Sequence, residues 1–198
     1  LPGRFDTARK IFEENGNVDG VYEAVEGRFE NEAAKNRWFS SNATKSLLTT
    51  MNRRFSPEEL YDHLITWEFG YFHLNGLTVK RSIFDKTGLF NEKLRLHQDT
   101  DMCWRMAAVA NLYPGSLEKP VTIRRIHERN RISAPRSKKD IYQCGKLLLC
   151  ENLQWSLRNI GLNRSKAIFK QYLLLEWGHF WRLPIPTFIM DIKHKLFN

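Results

Sequence analysis

From Asp99 to Ala110 the chain reads Asp-Thr-Asp-Met-Cys-Trp-Arg-Met-Ala-Ala-Val-Ala, a run of good helix formers whose apolar positions wrap most of the way round. A helix of that kind has little surface to give to water, so the rest of the chain has to cover it. The means are there: 198 residues, 42% hydrophobic and 13% aromatic. A domain of this length buries roughly 70% of its unfolded surface and needs no staples. That content excludes a disordered tail or low-complexity spacer, which lacks the apolar side chains to offset ordering entropy.

The elements around this helix are of both kinds. Phe5, Ala8, Ile11 and Phe12 have helical spacing between Arg4 and Glu14, and Asn15-Gly16-Asn17 is a stop signal. The stretch Val18 to Phe29 is rich in β-branched and aromatic residues and alternates from Val21 to Val25, which predicts one strand. Residues 31–56 are polar and irregular, which predicts a long excursion. It ends at Ser56-Pro57-Glu58-Glu59, where a capping residue, a proline at the first helical position and a capping-box glutamate predict a helix to about Trp67. Phe72 to Val79 reads as a strand kinked at Gly76, Ser82 to Lys86 as one helical turn closed by Thr87-Gly88, and Val121 to His127 as a strand. From Pro135 onward the period is helical, broken at Gly161 and at Pro184-Ile185-Pro186. The expected organisation is an α/β domain over residues 1–134 and a helical extension over 135–198.

Three cysteines, Cys103, Cys144 and Cys150, are an odd number without C-x-x-C spacing. Neither a disulfide framework nor a zinc knuckle is expected, and a reducing, cytoplasmic setting fits. No run of 18 apolar residues occurs, so no bilayer-spanning helix is expected. The opening Leu1-Pro2-Gly3, without Met, suggests a piece of a longer polypeptide. The net charge of +9 raises nucleic-acid binding, with Arg124, Arg125, Arg129, Arg131, Arg136, Lys138 and Lys139 as the densest basic stretch. No recognition helix, zinc finger or aromatic RNA-binding pattern accompanies it, so no nucleic-acid partner is expected.

Chemistry concentrates where the buried helix begins. Gln98-Asp99-Thr100-Asp101 aims two carboxylates at a cavity or at the helix's own N–H groups. On the residues alone, Asp99 serves as a helix cap and Asp101 as a first-turn anion favoured by the macrodipole. A metal-binding D-x-D is a poor reading, because such a motif ends an apolar strand and Arg95-Leu96-His97-Gln98 precedes this one. Asp101 and Arg105, four apart, can pair on one helical face and hold the helix head still.

The order Leu74-Asn75-Gly76-Leu77-Thr78-Val79-Lys80-Arg81, Phe84, Thr87-Gly88-Leu89-Phe90-Asn91-Glu92-Lys93-Leu94, Gln98-Asp99-Thr100-Asp101 and Arg105-Met106, then Arg125-Ile126-His127 with Asn130 and Ser133, resembles the carboxyl half of family 2 glycosyltransferases of GT-A fold. The resemblance covers residues 1–133. It implies the carboxyl-terminal part of a Rossmann-like, mixed-sheet α/β domain followed by the α-helical extension. It implies too that an amino-terminal half, with the strand ending in the metal-binding D-x-D, precedes Leu1.

Carried over by position, Asp99 matches the aspartate of the family's Glu-Asp pair, the general base for the acceptor hydroxyl. Gln98 replaces the usual glutamate and removes one negative charge beside it. His127 matches a histidine that helps bind the divalent metal, magnesium or manganese, or the nucleotide diphosphate. Arg129 and Arg131 are expected over the diphosphate, where guanidinium groups fit phosphate oxygens. His97 and Asn75 are expected to line the acceptor site. The implied reaction is inverting transfer from a nucleotide-sugar donor to a hydroxyl acceptor, a surface polysaccharide or a lipid-linked glycan.

In the extension, Ile168, Phe169, Tyr172, Leu173, Trp177, Phe180 and Trp181 form a wide apolar face. It suits packing against the domain or a partner helix. The alternative is a peripheral position at the inner membrane surface, with Arg182, Lys193 and Lys195 on anionic lipid. A noncatalytic interaction or membrane-surface module is therefore the alternative function.

Overall fold

The computed structural model describes residues 1–41, 46–127 and 137–180. Among them, seven α-helices and six short strands make a mixed α/β architecture with two small sheets. Helix α1 (Asp6–Glu14) precedes β1 (Gly20–Tyr22), and beyond Glu23-Ala24 the chain resumes as β2 (Val25–Phe29). The one strand expected across Val21 to Val25 is thus two strands in two sheets. In the first sheet, β1 lies between antiparallel β4 (Leu77–Val79) and parallel β5 (Leu112–Pro114). In the second, β2 lies between antiparallel β3 (Leu48–Thr49) and parallel β6 (Thr122–Ile126).

The break falls at Glu23, a fully buried carboxylate in the middle of an apolar run. Burial pushes its pKa up, against the pull of the Ser116 N–H at 3.3 Å and the Arg4 guanidinium at 2.9 Å. Around it the backbone pairs irregularly: Ala24 N–H donates to the Ser116 carbonyl at 2.8 Å, and Val121 N–H to the Ala24 carbonyl at 3.0 Å.

The polar stretch after β2 is not a bare excursion. It contains α2 (Glu32–Ser41), capped by Asn31, whose Oδ1 accepts from Ala34 N–H at 2.8 Å, and then β3. The buried residues of α2, Ala34 and Trp38, make one line of contact without a repeating apolar stripe, which is why periodicity missed it. Helix α3 (Pro57–Thr66) opens on the expected capping box, with Glu59 accepting from Ser56 N–H at 3.1 Å. The segment read as a kinked strand starts as a 3-10 turn, Leu74–Gly76, before β4. Glycine is required at its end, because a Cβ on Gly76 would strike the Glu23 carbonyl oxygen. Helix α4 (Ile83–Thr87) ends on Gly88 at φ 71°.

Helix α5 (Gln98–Val109) is the hub, and every residue from Asp101 to Ala108 is buried. It packs against α3, α4 and α6 (Lys138–Asn159). Neighbouring residues of β1 face opposite sides of the sheet. Tyr22 joins the main core with α3 and α5, while Val21 joins Ala8 and Val18 beneath α1. Gly161, at φ 76°, opens α7 (Gly161–Phe180), which packs on α6. Leu148, Leu149 and Ile168 from this helical pair belong to the main core, so the extension is continuous with the α/β part. Pro184-Ile185-Pro186 lie outside the described residues. Among the described residues, no helix is long and apolar enough to cross a membrane.

Candidate functional site

A cavity of about 600 Å³ opens at the amino end of α5. Helix α5 and the residue before it contribute His97, Gln98, Asp99 and Thr100, and the turn leading to it adds Phe90 and Arg95. Trp67, Tyr71 and His73 come from the segment between α3 and β4. Trp38 of α2, Thr49 of β3 and Arg124 of β6 complete the lining that carries chemistry.

Asp99 is half-buried, and its Oδ1 accepts from Thr100 N–H at 2.9 Å. It is not the helix cap. That position belongs to His97, and Asp99 sits inside the first turn. The other carboxylate turns away from the cavity. Asp101 Oδ2 accepts from Arg105 Nε at 2.9 Å and lies 2.7 Å from Arg105 Nη2, while Nη1 donates to the Thr87 carbonyl at 2.6 Å. Asp101 Oδ1 accepts from Asn152 Nδ2 of α6 at 3.0 Å, and Ser156 Oγ links Asn152 Oδ1, at 3.4 Å, to the Tyr61 hydroxyl of α3, at 3.1 Å. This buried polar chain ties the head of α5 to α3, α4 and α6.

His73 was not foreseen. Its Nδ1 accepts from Asn75 N–H at 3.1 Å, so the proton of the neutral ring sits on Nε2. Burial and then the Arg124 charge push its pKa down, against the upward pull of Asp99. Arg124, foreseen only as part of a basic stretch, has its guanidinium 5.3 Å from the centre of the Trp38 ring. Its Nε is buried without a hydrogen-bond partner among the described residues. Among the described lining residues, the arginines are Arg95 and Arg124 and the carboxylate is Asp99. Cys103, behind the cavity, is buried, and burial followed by Asp99 and Asp101 pushes its thiol up, which leaves it unsuited as a nucleophile.

Two of the lining residues have unusual backbones. Trp67 (φ 61°) and His97 (φ 63°) are the non-glycine residues with positive φ among the described residues, and both line this cavity. The left-handed region costs an L-residue roughly 1–2 kcal/mol, and such strain gathers at functional sites.

The fold therefore brings Asp99, Gln98 and His97 together. Asn75 is exposed and is not among the residues lining this cavity; its backbone carbonyl accepts from Arg4 at 2.9 Å. His127 is half-buried just past β6 and does not line the cavity. Arg129 and Arg131 lie outside the described residues. No group of three His, Cys, Asp or Glu side chains able to hold a metal occurs among the described residues. One imidazole is too small a donor set for a divalent ion, so the residues here do not by themselves fit the metal that the resemblance implies. Sequence reasoning missed His73, Trp67 and Arg124 as cavity residues because they lie 25 or more positions from Asp99 and no local pattern links them.

No protein-family model, curated protein or solved structure matches this chain.

Proposed function

We propose that this chain is the acceptor-side half of an inverting glycosyltransferase of GT-A fold, acting in the cytoplasm on a glycan or lipid-linked acceptor. One observation carries the reading beyond the motif resemblance: Asp99 lines a cavity shared with the two strained residues, Trp67 and His97. A carboxylate beside a ligand-sized cavity suits general-base work.

In this mechanism Asp99 takes the proton from the acceptor hydroxyl as its oxygen attacks the anomeric carbon. The bond from that carbon to the nucleoside diphosphate breaks, and the configuration inverts. The Nε2–H of His73 and the amide of Gln98 orient the hydroxyl. Arg124 supplies positive charge for the phosphate oxygens of the departing group. No step here is assigned to a metal. The test is transfer from a panel of nucleotide sugars by the complete polypeptide. Nucleoside diphosphate release that depends on a hydroxyl acceptor supports the reading, and its absence across the panel opposes it. The 198-residue chain alone is expected to be inactive, and turnover by it would show that no upstream donor half is needed.

A second reading has its own observation. Phe169, Leu173 and Leu174 of α7 are about half exposed, near Lys166 and Lys170. Such a face suits a membrane surface or a partner helix. Sedimentation with anionic liposomes supports the membrane version, and no binding removes it.

A further inference from the structure

The aromatic lining of the cavity has a feature that core packing does not require. Trp67 ends α3 in the left-handed conformation, at a position where glycine is the usual residue. A bulky aromatic is among the least suited side chains there. The residue is also 42% exposed, so the unfavourable backbone is not offset by complete burial. What the conformation achieves is placement. Trp67 lines the main cavity together with Asp99, and lines the small adjoining pocket with Asp99 as well.

The indole is braced. Buried Trp104 of α5 meets it edge to face, with ring centres 5.9 Å apart and planes at 68°. Tyr71, 38% exposed, meets it edge to face at 5.4 Å and 66°. A flat aromatic surface is thus held rigid and half open beside a carboxylate. Aromatic rings carry negative charge on their faces. The C–H face of a pyranose is apolar and slightly positive, while its hydroxyls project from the rim toward hydrogen-bonding groups. A carboxylate such as that of Asp99 can accept from such hydroxyls, and an Nε2–H such as that of His73 can donate to them.

We infer that Trp67, braced by Trp104 and flanked by Tyr71, is the platform on which the acceptor's sugar ring stacks, so that the acceptor is a glycan whose terminal pyranose presents a hydroxyl to Asp99. The inference rests on the reading of Asp99 as the base. It narrows the acceptor to one that ends in a pyranose and names the residue that holds that ring.

The test reads binding, not transfer. The complete polypeptide is labelled with fluorotryptophan, the Trp67 signal is assigned from Trp67→Phe, and methyl glycosides of glucose, galactose, mannose and N-acetylglucosamine are titrated in one at a time. At least one glycoside is expected to shift the Trp67 signal saturably. Trp67→Leu is expected to weaken that glycoside roughly tenfold, whereas Trp67→Phe keeps it within about threefold. Trp67→Gly, which relieves the backbone, supplies a folded variant lacking the ring if Trp67→Leu does not fold. Asp99→Asn is expected to bind the same glycoside within about threefold, because an amide still hydrogen-bonds a hydroxyl. Glycoside binding without transfer would therefore sink the catalytic reading alone. A Trp67 signal that no glycoside moves, or that uridine monophosphate moves instead, overturns the platform.

Discussion

Asp101→Ala should be among the most damaging single changes in the protein. Its side chain is 2% exposed and that of its partner Arg105 is 6% exposed. The substitution removes the contacts to Arg105 Nε at 2.9 Å and Nη2 at 2.7 Å, and it leaves Asn152 Nδ2 without its acceptor at 3.0 Å. Arg105 would keep the Thr87 carbonyl at 2.6 Å, which offsets none of its charge. Breaking a buried pair from one side costs about 3–5 kcal/mol, against a total of about 5–15 kcal/mol for an ordinary domain. In a chain of this size each kcal/mol shifts the melting temperature by about 2–4 °C, so a fall of about 6–20 °C is expected. Urea and thermal denaturation of the complete polypeptide, followed by circular dichroism, give the number. The double variant Asp101→Leu, Arg105→Met removes both charges and should recover much of the loss. A loss below about 1 kcal/mol for Asp101→Ala would refute the reasoning, because it would mean that the freed guanidinium reaches water.

Gly76→Ala should destabilise by about 1–3 kcal/mol, because the new methyl meets the Glu23 carbonyl and comes within 2.8 Å of Val25. A melting temperature equal to that of the parent would show that the turn yields. The depressed pKa of His73 predicts a contribution to pH dependence. The folded protein holds the ring neutral, so stability is fully present above the unfolded value of 6.5 and is lost as pH falls through it toward the folded value. His73→Gln should therefore lose less stability than the parent between pH 7.5 and 5.5, and an unchanged difference in melting temperature would contradict the assignment.

Elements with local, repeated signals were legible in the sequence. The Ser56-Pro57-Glu58-Glu59 box starts α3 because each of its contacts lies within one helical turn. Helix α5 could be read as buried because its apolar positions wrap most of the way round. Asp99 could be singled out as the head of that helix, and the cavity adds company that no window of sequence contains. The break of the first strand at Glu23 was hidden, because the V-Y-E-A-V alternation looks the same whether or not the glutamate finds Arg4 and Ser116. Strand β5, three residues long, is fixed by pairing with β1 instead of by its own pattern. Trp67 reads as the last apolar position of a helix. Only the left-handed turn at its α-carbon, set by the surrounding packing, turns it into a cavity wall.

The central claim is that Asp99 removes the acceptor proton, and Asp99→Asn in the complete polypeptide tests it most directly. The amide keeps the shape and hydrogen bonding of the carboxylate but cannot accept the proton. The account predicts that kcat falls by about 10²–10⁴-fold while donor affinity stays within about threefold. Turnover within about threefold of the parent would contradict it and would remove Asp99 from the base role.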